Sequence, residues 1–457
     1  MNKTFVFEGV PLVAKVDVLV LGAGSAGCVA ALAAASTKKC SVMLVERYGF
    51  PGGTSTQMLD TFYGFFTPGE LPRKIVGGWP DKVVDELDRV GAIFLRPNTY
   101  GAGTGVNYNP ERLKLIWDEL ILAQGIQYLL HTTLVDAKQE PEGYTCFFWN
   151  KGGFCKIRAR RIIDATGDAD FAHLAGFPYE IAGEQEPAQS MTTTFRMSNV
   201  DLETYKRAGG KRILMERMRD AVDTGRHALP RKEGSAHEMN ARKCISTVTV
   251  KVAGYSGLCA ENLTAAEIEG RKQAFAYERF FQDEVPGYQE ADIIGLSTQI
   301  GVRETRRIYG EHRLTKEECM AATVGKDSIF LCGAPIEDHR SGPEGEAETH
   351  WEYIPGTGVY GVPYGCIVPK GSAYVWTVGR CFSATHDAHA SCRSMAQTMS
   401  MGQAAGFAAV QSLERDEDAR SLDIQRLRDT LHLEGAVLEI PDKIADTSRD
   451  GWPNNRL

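Results

Sequence analysis

Asp17-Val-Leu-Val-Leu-Gly22-Ala-Gly24-Ser25-Ala-Gly27 opens a stretch that runs through an alanine-rich segment to Val42-Met-Leu-Val-Glu46. It reads as a buried strand over Val16–Leu21, a glycine turn, a helix, and a second strand ending in an acid. Each glycine has a task. Gly22 makes the tight turn, Gly24 lets the backbone approach a pyrophosphate, and Gly27 lets helix and sheet pack closely. The phosphate then sits on the exposed amides at the helix N-terminus, where Ser25 begins the first turn. Glu46, about 20 residues past the glycines, is placed to accept hydrogen bonds from a ribose diol.

Residues 18–35 carry no charge, but their glycines and alanines suit a helix packed between sheet and cofactor better than a lipid-facing span. The N-terminus lacks a basic region followed by an apolar core, so no secretory signal is expected. Eleven cysteines are scattered without CxxC pairs or metal spacing. That usage points to a reducing, cytoplasmic setting with most thiols as small buried apolar groups, and no metal site is expected. The 457 residues suffice for two or three domains. A net charge of −8 argues against nucleic acid as a partner. No membrane partner is expected either; homo-oligomerisation is left open.

Beyond the ribose acid lies a second glycine-rich loop, Arg47-Tyr-Gly-Phe-Pro-Gly-Gly53-Thr54-Ser55. Asn109-Pro110-Glu111 reads as an N-cap, a first-turn proline and a first-turn acid, starting a helix over Arg112–Ala123. A strand near Gln127–His131 follows. Then comes a hairpin, Tyr144–Trp149 against Phe154–Arg158, which returns through Ile162-Ile-Asp-Ala165-Thr-Gly167-Asp168. Far downstream, residues 371–379 read as a strand ending at Gly379-Arg380. Beyond it lie His386-Asp-Ala-His389 and a small-residue helix from Ser394. A helix N-terminus there would stabilise negative charge on a group placed before it.

These loops in this order resemble the glutathione-reductase-like class of FAD proteins. Further segments narrow the resemblance. Val362–Lys370, the run Ser-Ala-Thr-His-x-Ala-His-Ala-Ser, Gly301-Val-Arg-Glu-Thr-Arg-Arg307 and the tail 427–438 are similar to the FAD-dependent oxidoreductases often labelled xanthan-lyase-associated. The resemblance implies an α/β fold: a doubly wound, Rossmann-like FAD domain at residues 1–180 and 355–457, with an inserted α+β substrate domain at 181–354. It implies cofactor contacts at Gly22, Gly24, Ser25, Gly27, Glu46, Arg47, Gly53, Thr54, Ser55, Ala165, Gly167, Gly379 and Arg380. One position departs from the pattern, since Arg380 stands where many FAD enzymes have an acid for the ribitol.

For chemistry, His386 and His389 stand before the helix that should face the flavin, at a spacing that puts both rings on one side of a helical turn. Either ring suits removal of a hydroxyl proton as hydride leaves the adjacent carbon, with Tyr364 and Tyr360 as further candidates. Asp387 would orient a ring or cap the helix. Arg303 is the candidate for an anionic substrate group, with Arg306 and Arg307 pairing with Glu304 or Glu311. As a strand, this segment would put Arg303 and Arg307 on one face. Tyr360 is a candidate lining residue of the substrate cavity. The stretch 335–360, with Asp338-His339-Arg340, is long enough for a lid. The expected activity is hydride transfer between FAD and a small organic substrate, most simply oxidation of a secondary alcohol in a sugar-like or cyclic compound. The alternatives are reduction or desaturation of a carbon–carbon double bond, and an electron-transfer or partner-binding flavoprotein.

Overall fold

A computed structural model describes residues 9–339 and 349–455. Arg340 and the middle of the expected lid lie outside the described residues.

The strand expected at the first glycine turn forms over Leu12–Leu21 and lies at the centre of a sheet. Its parallel neighbours are Val42–Val45 on one side and Gly153–Asp164 on the other. Gln127–Leu129 continues the parallel order beyond Val42–Val45. The long strand Gly153–Asp164 has two further partners. Its first half pairs antiparallel with Gly143–Asn150, closing the expected hairpin at Asn150↔Gly153. Its last residues pair in parallel with Val375–Thr377. The expected strand at 371–379 is therefore reduced to three residues, because this neighbour overlaps the sheet only there.

Two helices cover one face of the sheet. Ser25–Ser36 packs along Met395–Arg415, and both are almost wholly buried. Small residues permit the contact: a Cβ at Gly402 would lie 2.1 Å from the Ala26 carbonyl oxygen, and one at Gly406 2.4 Å from that of Ala30. The helix from Pro110 to Ala123 is capped as expected, the Asn109 side chain accepting from the Glu111 and Arg112 amides.

The insert has its own core. Its antiparallel sheet runs Ser235–Glu238, Ile245–Val248, Phe195–Ser198, Asp292–Leu296. The 25-residue helix Ala260–Glu284 packs Tyr277, Phe280 and Phe281 with Phe195 and Met197 of this sheet. Part of the stretch before residue 355 packs with the core around the parallel sheet. Leu314 and Ile329–Cys332 belong to the core of the first domain, and Ser328–Cys332 pairs with Tyr360–Pro363 inside it. Within the expected lid, Ile336–Asp338 pairs with His350–Glu352. Among the described residues no helix is long and apolar enough to cross a membrane.

Candidate functional site

The three glycines of the first turn divide as their tasks require. Gly22 adopts φ +94°, and a Cβ there would meet the Ala165 carbonyl oxygen at 2.5 Å. At Gly27 a Cβ would lie 1.9 Å from the Gly22 oxygen, so only hydrogen fits. At Gly24 it would meet nothing within 4 Å. Space is thus left open beside Gly24, where the sequence reading expects the pyrophosphate. Gly24 caps the helix from Ser25 without a side-chain hydrogen bond, which leaves first-turn amides for an anion. The second glycine loop stacks on this turn: the Gly52 amide donates to the Ala23 carbonyl at 2.6 Å, and a Cβ at Gly53 would lie 2.9 Å from the Gly24 Cα. Ser55 is buried with its hydroxyl donating to Gly52 at 2.8 Å, whereas Thr54 is exposed.

Glu46 is buried, and burial raises its carboxyl above the ordinary range. Its Oε2 accepts from the Ala23 amide at 2.7 Å and its Oε1 from the Tyr48 amide at 2.9 Å. The acid therefore holds the turn in place while keeping lone pairs for a ribose. Glu46→Gln turns one of these oxygens into an N–H₂ facing an amide N–H. The expected cost is about 1–3 kcal/mol, seen as a lower melting temperature together with weaker FAD retention. Unchanged values for both would make the acid a bystander. Arg47 is exposed, with its guanidinium 5.1 Å from the Tyr48 ring centroid.

Ala165 and Gly167 close the other wall, with the Ala165 amide on the Leu21 carbonyl at 2.8 Å. Arg380 does not replace the missing acid as a free group. Its Nε donates to the Gly167 carbonyl at 2.7 Å, while Nη2 pairs with Asp168 and Nη1 donates to the Val302 carbonyl. It fastens this wall to the insert beside Gly379, which adopts φ +85°. The Ser394 cap of the helix Met395–Arg415 makes no side-chain bond to its first turn, where the Ala396 amide donates instead to the Tyr63 carbonyl at 3.2 Å.

His386 and His389 share a short helix, His386–Cys392, and converge on one carboxylate as their spacing predicts. Nδ1 of His386 is 3.2 Å and that of His389 3.8 Å from Glu304 Oε2. Their states differ. Burial disfavours charge on His386, but Asp338, 3.2 Å from its Nε2, and Glu304 outweigh it and raise the ring to about 10. Complete burial drives His389 down to about 3, and its Nε2 bonds the Arg380 carbonyl at 2.7 Å. Burial of Glu304 is in turn outweighed by the histidines and Arg307, which push it down to about 2. His386 is thus held between Asp338 and Glu304, and His389 is fully buried with its Nε2 on the Arg380 carbonyl. Asp387 is 3.5 Å from Lys316.

The segment 301–307 is a strand only over Arg306–Ile308, because Tyr179–Ile181 offers it just three partners. Arg303 lies outside it and does not share a strand face with Arg307. Arg307 bonds Glu304 at 2.5 Å and Glu180 at 2.8 Å, Arg306 bonds Asp170 at 3.0 Å, and Glu311 accepts instead from the Gly371 amide. The tyrosines are not brought to the site. The Tyr360 hydroxyl is bonded to Ser391 Oγ at 2.7 Å in the core, and that of Tyr364 donates to Ala419 and accepts from Trp376 Nε1 at 2.8 Å.

A second polar centre escaped the sequence analysis. Asp60 follows the short helix Thr54–Gln57, and its Oδ1 lies 2.8 Å from Nε2 of His237 on the insert strand Ser235–Glu238. Thr61 Oγ1 donates to the same oxygen at 3.3 Å and accepts from Asn107 Nδ2 at 3.3 Å. Asp60 Oδ2, His237 Nδ1 and Asn107 Oδ1 are buried without a hydrogen-bond partner among the described residues. Burial lowers the His237 ring below its ordinary range, against the pull of Asp60. The only local hint is an acid just past the glycine loop; nothing in sequence links it to a histidine in the insert.

The family profile described as FAD dependent oxidoreductase matches residues 17–431. No curated protein matches the chain by sequence. Among solved structures, p-nitrophenol 4-monooxygenase from Pseudomonas putida is similar at 10% identity and TM-score 0.50, over 93% of this chain and 87% of that one. A geranylgeranyl bacteriochlorophyll reductase-like protein from Thermoplasma acidophilum aligns at 13% identity and TM-score 0.47, over 92% and 84%. Likeness at such identity is one of fold. The family match spans most of the chain and the cradle fits the dinucleotide, so this protein belongs to the FAD-dependent oxidoreductase family and its cofactor is FAD.

Proposed function

We propose that the chain oxidises a secondary alcohol of a small hydroxylated compound, with the pair Asp60–His237 handling the hydroxyl proton. The observation that carries this is the set of buried acceptors left unmatched at Asp60 Oδ2, His237 Nδ1 and Asn107 Oδ1. Buried polar atoms without partners are costly, and acceptors are satisfied only by a donor such as a hydroxyl. Bound FAD supplies the two-electron acceptor for the hydride on the carbinol carbon. Asp60 accepts from His237 Nε2, which fixes the tautomer with the lone pair on Nδ1. That lone pair takes the hydroxyl proton, and the alcohol becomes a carbonyl. The ionised Asp60 then stabilises the imidazolium that forms.

The reading is tested by mixing the holoenzyme anaerobically with a panel of polyols and cyclic secondary alcohols. Bleaching of the oxidised flavin bands by members of the panel is expected. If none bleaches the flavin while enones reoxidise the chemically reduced enzyme, the reaction is instead reduction of a carbon–carbon double bond.

A further inference from the structure

Another group of buried polar atoms is used neither by the cofactor cradle nor by Asp60–His237. Arg393 immediately precedes Ser394, the cap of the helix Met395–Arg415. Its Nη2 donates to Gln189 Oε1 at 3.1 Å and to the Glu337 carbonyl at 3.2 Å, while its Nε is buried without a partner. Gln189 is 4% exposed, and its Nε2 has no partner either. Arg303 donates to the carbonyl of the next residue, Ser190. Arg231, 9% exposed, has Nη2 3.7 Å from Glu233 and a buried Nε without a partner. Among the described residues, Glu337 lies 3.2 Å from His339 Nε2, and Glu304 holds Arg307 and the histidine pair. Burial, together with Arg393 and Arg231, pushes Arg303 down to about 9 despite Glu337. The unmatched atoms here are all donors, the reverse of the set at Asp60.

Unmatched buried N–H groups on arginine and glutamine ask for an acceptor, and a guanidinium fork fits an oxyanion better than any neutral group. We propose that Arg393, Gln189 and Arg303, with Arg231 beside them, bind an anionic oxygen group of the substrate, a carboxylate or a phosphoryl group. The substrate class is then a hydroxylated acid rather than a neutral polyol. This rests on the alcohol-oxidation reading, with the hydroxyls going to the acceptors at Asp60, His237 and Asn107.

The test is calorimetric titration of the holoenzyme with gluconate, inorganic phosphate and sorbitol. At least one anion should bind roughly tenfold or more tightly than sorbitol, and the tighter of the two identifies carboxylate or phosphoryl as the group held. Arg393→Gln should weaken that anion roughly 10- to 100-fold and leave sorbitol unchanged, with Arg393→Lys in between. FAD content and melting temperature report whether the variant has folded. If Arg393→Gln loses its FAD, Gln189→Leu carries the same expectation. Sorbitol binding as tightly as both anions, or unchanged anion affinity in the folded variants, overturns the proposal. Unchanged affinity with a displaced flavin potential does so as well, by giving Arg393 to the cofactor. Anions that bind as expected while no alcohol bleaches the flavin leave the anion site standing and overturn only the reaction.

Discussion

Gly24→Glu is expected to give a folded protein without FAD. The structure separates this position from its neighbours: a Cβ at Gly24 meets no protein atom within 4 Å, whereas at Gly27 it would lie 1.9 Å from the Gly22 oxygen. A side chain at Gly24 thus costs the apo fold little, but a carboxylate there occupies the place of the pyrophosphate and repels it at the helix N-terminus. Loss of binding should be complete by absorbance of the oxidised flavin and by FAD released on denaturation. The melting temperature of Gly24→Glu should match that of wild-type apoprotein and fall below that of the holoenzyme, because FAD stabilises only the state that binds it. Gly27→Ala should behave differently, destabilising the apoprotein itself. If Gly24→Glu retains one FAD per chain, the pyrophosphate does not lie on this turn.

What the sequence made legible is what local geometry dictates. Gly22 and Gly27 are forced by backbone contacts within one strand–turn–helix unit, so their spacing announces the unit. The convergence of His386 and His389 followed from helical periodicity. The failures are all matters of distant partners. Whether Arg303 sits in a strand depended on the length of Tyr179–Ile181. Tyr360 and Tyr364 looked available until Ser391, Ala419 and Trp376, each 12 to 55 residues away, took their hydroxyls. The pairing of Arg380 with Asp168 reaches across 212 residues. The pair Asp60–His237 spans 177 residues and two domains, so no pattern along the chain contains it.

That pair carries the second large effect. Proton transfer by a positioned side chain contributes roughly 10²- to 10⁴-fold, so His237→Gln should slow flavin reduction by the best alcohol by about that factor. FAD should stay bound with its spectrum little changed, since His237 belongs to the insert and not to the cradle. The pH profile gives a sharper mark. The imidazole acts as a base only when neutral, and burial lowers its pKa below 6.5. The wild-type rate should therefore rise with pH on the acid side, with its midpoint below the ordinary imidazole range. In His237→Gln that acid limb should vanish, leaving a low rate independent of pH in this range. Asp60→Asn should also be slow, because an amide at this position no longer fixes the tautomer or stabilises the imidazolium. His386→Asn, by contrast, removes a ring held as a cation by Asp338 and Glu304, and should affect stability more than the proton-transfer step. If the rates reverse, with His386→Asn slowed a hundredfold and His237→Gln unaffected, the proton leaves through the His386–Glu304 cluster instead.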